Sequence, residues 1–208
     1  MSKYEGTGCD FCNPSDLSKR LVCEYEDSYL VSDAYPVTAG HLLMLSKEHL
    51  LSFGEMRLDA LSRLQGEIIK ISEALRGIKS KLIVFEHGNQ NVNKSGKPSV
   101  DHAHIHLIPT SDLQRHLPAS KKRGVFLDLP HYLSQHSYYF YWDVVNNISY
   151  WGNASEIESQ FIRKIVAREE NLTSWDWRKS NFPVDLVTEQ TCLVRALLAK
   201  AKGGCRGK

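Results

Sequence analysis

Apolar residues recur at spacings of three and four from Leu58 through Leu61, Leu64, Ile68 and Ile71 to Leu75, which predicts an amphipathic helix that Gly77 closes. Shorter segments flank it. Tyr29 to Ala34 reads as a strand and, after a turn at Tyr35-Pro36, Gly40 to Ser46 reads as a second. Lys81 to Glu86 is short and β-branched, as a buried strand is. A polar loop rich in Asn, Gly and Lys runs from Gly88 to Ser99 and feeds Val100 to Pro109, whose period-two alternation is the sharpest pattern in the chain. In the second half, Tyr138 to Val145 and Ile148 to Trp151 read as a hairpin turned by Asn146-Asn147. Ser155 followed by Glu158 reads as a capping box opening a helix with Ile157, Phe161, Ile165 and Val166 on its apolar face. A last helix is predicted over Asp185 to Lys200.

Composition adds mostly exclusions. The 208 residues are 42% hydrophobic and 24% charged, an ordinary globular balance that argues against a disordered, fibrous or coiled-coil chain. No apolar run approaches the roughly 20 residues that span a bilayer. The segment Met1 to Gly6 has no hydrophobic region of the signal-peptide kind, so a cytoplasmic protein is expected. Twenty-six Lys+Arg against 24 Asp+Glu leave a formal charge of +2, which argues against nucleic acid as the partner. The basic runs at Lys121-Lys122-Arg123 and from Lys200 to Lys208 read as solvated surface.

Cysteine and histidine carry the chemistry. Five cysteines are an odd number, which sits poorly with a fully paired disulfide framework. Cys9 and Cys12 form a C-x-x-C in a Gly/Asp/Asn-rich stretch, a setting that suits zinc better than a redox dithiol and supplies half of a tetrahedral site. Cys23, Cys192 and Cys205 read as core or surface thiols. In His102-Ala103-His104-Ile105-His106-Leu107-Ile108, a strand would line one face with three imidazoles and send Ala103, Ile105 and Leu107 into the core. Such a comb either binds metal or presents a histidine nucleophile with helpers, and spacing alone does not choose.

The H-φ-H-φ-H-φ-φ motif resembles the signature of the histidine-triad (HIT) nucleotide hydrolases and transferases. The resemblance covers about residues 8 to 112. Gly40-His41-Leu42-Leu43-Met44-Leu45-Ser46-Lys47-Glu48-His49 looks like that family's glycine–histidine strand, and an asparagine-bearing loop leads to Ser99-Val100 before the triad. The resemblance implies an α+β fold with an antiparallel sheet of about five strands, packed helices and, usually, a homodimer. Residues 1–112 would be the HIT core with an N-terminal zinc arm. Residues 113–208 would be a C-terminal α/β extension packed on that core.

Carried over by position, the resemblance makes His104 the nucleophile that attacks the α-phosphorus and forms a nucleotidyl–histidine intermediate. His106 would lie by the phosphate oxygens or leaving group, and His41 would orient the site. Ser99 and Asn91 would contact phosphate or leaving group. The resemblance also completes a structural zinc site from Cys9, Cys12, His49 and His102. Its implied substrate is a nucleoside phosphate, phosphoramidate or dinucleoside polyphosphate, a purine slightly favoured. Two departures bear on substrate preference. Lys97-Pro98-Ser99 stands where Gly-Gln-Ser is common, and Ser46 stands where proline is usual. The rival readings are a nucleotidyltransferase or phosphorylase with an acceptor other than water, and a non-catalytic nucleotide-binding scaffold. Trp175-Asp176-Trp177-Arg178 reads as a packed anchor, and the tail is expected to cover the site with Arg163 or Arg178 facing the leaving phosphates.

Overall fold

The structure, a computed structural model, describes residues 9–12, 17–89, 102–173, 175–179 and 184–201. Strands β1 (Leu21–Glu24), β2 (Ser28–Ser32), β3 (Leu42–Ser46), β4 (Leu82–Gly88), β5 (His104–Pro109), β6 (Lys122–Arg123), β7 (Tyr138–Asp143) and β8 (Ile148–Asn153) form one sheet. Its order is β1-β2-β3-β5-β4-β7-β8-β6, eight strands with every neighbouring pair antiparallel. Among the described residues four helices accompany it: α1 (Leu58–Leu75), α2 (Leu129–Gln135), α3 (Phe161–Glu169) and α4 (Val184–Lys200). The class is α+β. The sheet has eight strands where about five were expected. Three strands of the second half then continue it past β4, because β7 pairs with β4 from Ile83 to Gly88.

Strand alternation divides the packing between two faces. Leu42, Met44, Val84, Ile105, Leu107 and Phe140 pack with Leu61, Leu64, Ile68, Ile71 and Leu75 of α1. Each of these α1 side chains is almost wholly buried, which stabilises the fold by roughly 1.5–3 kcal/mol per side chain. Ile83, Phe85, Ile108, Tyr139 and Tyr141 pack in a second cluster with Ile162, Ile165 and Val166 of α3. β7 is buried at all six positions, which explains its unbroken aromatic run.

α1 begins and ends where the periodicity predicts. The hairpin also forms, with Asn147 at φ 52 in its turn and Asn146 held by Asp143. The capping box does not. Asn153 instead caps a short 3-10 turn over Ala154–Glu156, accepting from Ser155 N at 2.9 Å, and α3 starts only at Phe161 after Gln160 in the left-handed region. β1, β6 and α2 had no sequence signal strong enough to predict them. No helix among the described residues is long and apolar enough to cross a membrane.

Candidate functional site

β5 pairs with β3 on one side and β4 on the other, placing His104 opposite Leu45 and His106 between Leu43 and Phe85. His104 and His106 are partly exposed, while Ala103, Ile105 and Leu107 are buried, as the alternation requires. His102 lies just before the strand and turns towards the N-terminal arm.

There Cys9, Cys12, His49 and His102 bring four ligand atoms within 4.8 Å of one another. Cys12 Sγ lies 3.0 Å from His49 Nδ1 and 3.4 Å from His102 Nδ1, and Cys9 Sγ lies 3.6 Å from His102 Nδ1. A tetrahedral zinc with ordinary Zn–S and Zn–N bonds sets its ligand atoms about 3.6 Å apart, so donor types and spacing both fit zinc. The second ring nitrogen of His102 has partners as well. Nε2–H donates to Ser46 O at 2.8 Å, with Ser46 Oγ at 3.2 Å, which leaves Nδ1 with a lone pair facing the sulfurs. Burial keeps His102 neutral, its pKa pushed down to about 4. The loop carrying His49 is anchored by a buried carboxylate: Glu86 accepts from Phe53 N at 2.7 Å, Ser52 Oγ at 3.2 Å and Tyr138 OH at 2.6 Å. Phe11, between the two cysteines, packs edge-on against the rings of both His102 and His104.

Hydrogen-bond partners assign the tautomers of the remaining histidines. His104 Nδ1–H donates to its neighbour carbonyl His102 O at 2.8 Å, so Nε2 carries the lone pair. His41 Nδ1 accepts from Val37 N at 3.3 Å, so its proton is on Nε2, 3.0 Å from His106 Nδ1. His106 Nδ1 is therefore an acceptor and its Nε2 a donor. Burial is the main cause of depressed pKa values at all three. His41 falls to about 4, and His106 is lowered further by His41, His104 and Arg163. Neutral imidazoles result, and one of them offers a nucleophilic nitrogen.

Asp33, which did not stand out in the sequence, and Arg163, which was expected to face the leaving phosphates, complete the polar chain. Asp33 Oδ2 lies 3.5 Å from His41 Nε2 and accepts from Arg163 Nη1 at 3.1 Å, while Asp33 Oδ1 accepts from Tyr35 N at 2.6 Å. Burial alone would raise the Asp33 pKa, but His41, Arg163, the Tyr35 N–H and Arg20 together lower it, so the carboxylate is ionised. Arg163 is itself buried, with Nε donating to Trp175 O at 3.0 Å and Nη2 to Tyr35 O. Its guanidinium thus faces three protein oxygens, not the leaving phosphates expected of it. From α4, Gln190 brackets the His41 peptide, accepting from Gly40 N at 3.3 Å and donating to His41 O at 3.1 Å. Asn91 and Ser99 lie outside the described residues. Cys23, read as a thiol, is disulfide-bonded, and Cys192 is exposed and free.

A family model described as the HIT domain matches residues 15–113. An uncharacterized HIT-like protein of Saccharolobus solfataricus is 30% identical over 105 residues, 49% of this chain and 73% of that protein. Another, from Methanocaldococcus jannaschii, is 32% identical over 108 residues, covering 49% of this chain and 78% of that protein. Among solved structures, a hypothetical histidine triad nucleotide-binding protein from Sulfolobus tokodaii is similar at 18% identity and TM-score 0.47, over 93% of this chain and 94% of that one. With its histidine strand, its glycine–histidine strand and these relatives, the chain belongs to the HIT domain family.

Proposed function

We propose that the protein is a nucleotide hydrolase or transferase that works through a nucleotidyl–His104 intermediate. One observation carries the reading: His104 donates Nδ1–H to a backbone carbonyl, leaving Nε2 unprotonated on the partly exposed face of β5 beside the donor nitrogen of His106. His104 Nε2 attacks the α-phosphorus, a P–N bond to the ring forms, and the bond from phosphorus to the leaving group breaks, P–O in a phosphate or polyphosphate and P–N in a phosphoramidate. His106 Nε2–H supports a phosphate oxygen or the departing oxygen, and His41 holds His106 in that tautomer. Water then attacks phosphorus, the P–N bond breaks, and the nucleoside monophosphate leaves with His104 restored. Asn91 and Ser99 are assigned to phosphate or leaving-group contacts.

Cys9, Cys12, His49 and His102 would hold a structural zinc, which ties the N-terminal arm to the start of the catalytic strand and takes no part in the reaction. The substrate class is a nucleoside phosphate, phosphoramidate or dinucleoside polyphosphate. A purine base, a homodimer and the division into a core of residues 1–112 and an extension of 113–208 are carried over from the family resemblance, and a cytoplasmic setting from the sequence's lack of a signal-peptide pattern.

Intact-protein mass spectrometry with adenylated and guanylated substrates tests the reading. Wild type should gain one nucleoside monophosphate or release it as product, and His104→Ala should do neither. Substitution of phosphate for water as acceptor would favour the transferase or phosphorylase. Nucleotide binding without adduct or product would favour the scaffold.

A further inference from the structure

His41 has one proton on Nε2 and two acceptors in reach: His106 Nδ1 at 3.0 Å and the Asp33 carboxylate at 3.5 Å. An anionic oxygen ordinarily outcompetes a neutral imidazole nitrogen for a hydrogen-bond donor. What changes the contest is Arg163, whose Nη1 donates to the same oxygen, Asp33 Oδ2, at 3.1 Å. The guanidinium cannot swing away, because its other nitrogens are held by Trp175 O and Tyr35 O. Arg163 and Asp33 are exposed by only 4% and 5%, so little solvent screens the pair.

We propose that Arg163 is a positioning residue for the triad: by engaging the Asp33 carboxylate it directs the His41 Nε2 proton to His106. Arg163 comes from α3, outside residues 15–113 that the family model matches. The extension therefore acts on the histidines from behind, through Asp33 and His41, instead of covering the substrate. Without the guanidinium, Asp33 Oδ2 would keep His41 as its near partner, draw a second proton onto that ring and pull Nε2–H away from His106. His106 would then lose the donor that fixes its tautomer. The charged and titratable groups around His41 are Asp33 after β2, Arg20 before β1, His104 and His106 of β5, and Arg163 of α3, so removing Arg163 takes away the cation that donates directly to Asp33 and leaves Arg20 as the remaining one.

The first test needs no substrate. Imidazole NMR titration of His41 should show a neutral ring protonated on Nε2 well into the acid range in wild type. In Arg163→Met the His41 titration should move up by about one to three pH units. Arg163→Gln, which keeps polar contacts and guards against a misfolded variant, should move it the same way. Arg163→Lys, which keeps the charge, should lie nearer to wild type. An unmoved titration in Arg163→Met and Arg163→Gln overturns the proposal, as does a lysine variant indistinguishable from glutamine. The second readout rests on the nucleotidyl-transfer reading above. The acid limb of kcat should move upward by the same one to three pH units with KM nearly constant, so kcat falls about tenfold per pH unit below the shifted value but by no more than about twofold at pH 7. A wild type that forms neither adduct nor product while the NMR shift occurs sinks the reaction reading and leaves the positioning role standing. Adduct formation with no shift does the reverse.

Discussion

His102 and His106 lie on one segment, four residues apart, yet their rings are set for opposite work. His102 gives its Nε2 proton to the Ser46 carbonyl, and its Nδ1 lone pair faces two sulfurs and the neighbourhood of His49. His106 accepts at Nδ1 from His41, which leaves Nε2 as its donor nitrogen. The first ring is therefore a neutral ligand in a soft-donor quartet, and the second a member of a hydrogen-bond chain that ends in a carboxylate–guanidinium pair. The residue type is the same in both. Which nitrogen the neighbours occupy decides what the other can do.

The sharpest way to break this contrast is to remove one side at a time. Cys12→Ser replaces a thiolate by a poor zinc ligand and should weaken metal binding on the order of 10^3-fold, roughly 4 kcal/mol. Metal analysis of the purified protein, with thermal unfolding alongside, should then show a chain that has lost close to one zinc and melts earlier. Equal zinc content in wild type and variant would remove the quartet from consideration as a metal site. His106→Ala should do the opposite, retaining zinc while turnover drops about 10^2- to 10^3-fold. A His106→Ala protein that loses its metal would show that the two clusters are one unit.

How much of this was legible in the chain depends on how local each cause is. The faces of β5 were readable because period-two alternation is a property of consecutive residues, and so were the C-x-x-C and the helix from Leu58 to Leu75. The tautomers were not, because they depend on Ser46 O, His102 O and Val37 N, backbone groups that any side chains would supply. Asp33 precedes Ala34-Tyr35-Pro36 and looks like a turn former. Arg163 is expected from the sequence to face the leaving phosphates, and its burial against Asp33, Tyr35 O and Trp175 O follows only from α3 docking on β4, β5 and β7. The pairing of β7 with β4 joins strands about fifty residues apart and leaves no local mark. Ser155 and Glu158 had the right spacing for a capping box, but Asn153 captures the Ser155 N–H first.

A third prediction sharpens the metal side through pH. Burial raises the Glu86 pKa from 4.5 to about 7, against hydrogen bonds from Tyr138, Phe53 N and Ser52 that favour the ionised form. The folded value lies above the unfolded one, so the folded state prefers the protonated acid. This contribution is fully present below pH 4.5 and is lost as pH rises through about 7, amounting to about 3 kcal/mol at most. Wild type should therefore lose stability across that window in denaturant titrations, and Glu86→Gln, which is always neutral, should lose less. Parallel pH curves for the two proteins would show that Glu86 does not set the anchoring of the His49 loop.

The smallest expected effect lies on the other side, at Gly40. Its φ of +78° is in the left-handed region, and a Cβ there would come within 2.9 Å of Ile78 Cδ1 and 3.0 Å of Pro109 Cγ. The same peptide is bracketed by Gln190, so His41 enters β3 from a fixed direction. Gly40→Ala should cost about 1–2 kcal/mol from backbone conformation, with the close contacts adding to it. That corresponds to a melting temperature roughly 2–8 °C lower for a chain of this size. Gly66→Ala is the matched control: it sits inside α1 with nothing within 4 Å of the added methyl, and should stabilise by about 0.5–1 kcal/mol. Two variants that add the same carbon should thus move the melting curve in opposite directions. The His41 NMR signal should shift only in Gly40→Ala. If that signal stays put while the protein is destabilised, the bracket around Gly40 serves the fold alone and His41 takes its orientation from Val37 N, His106 and Asp33.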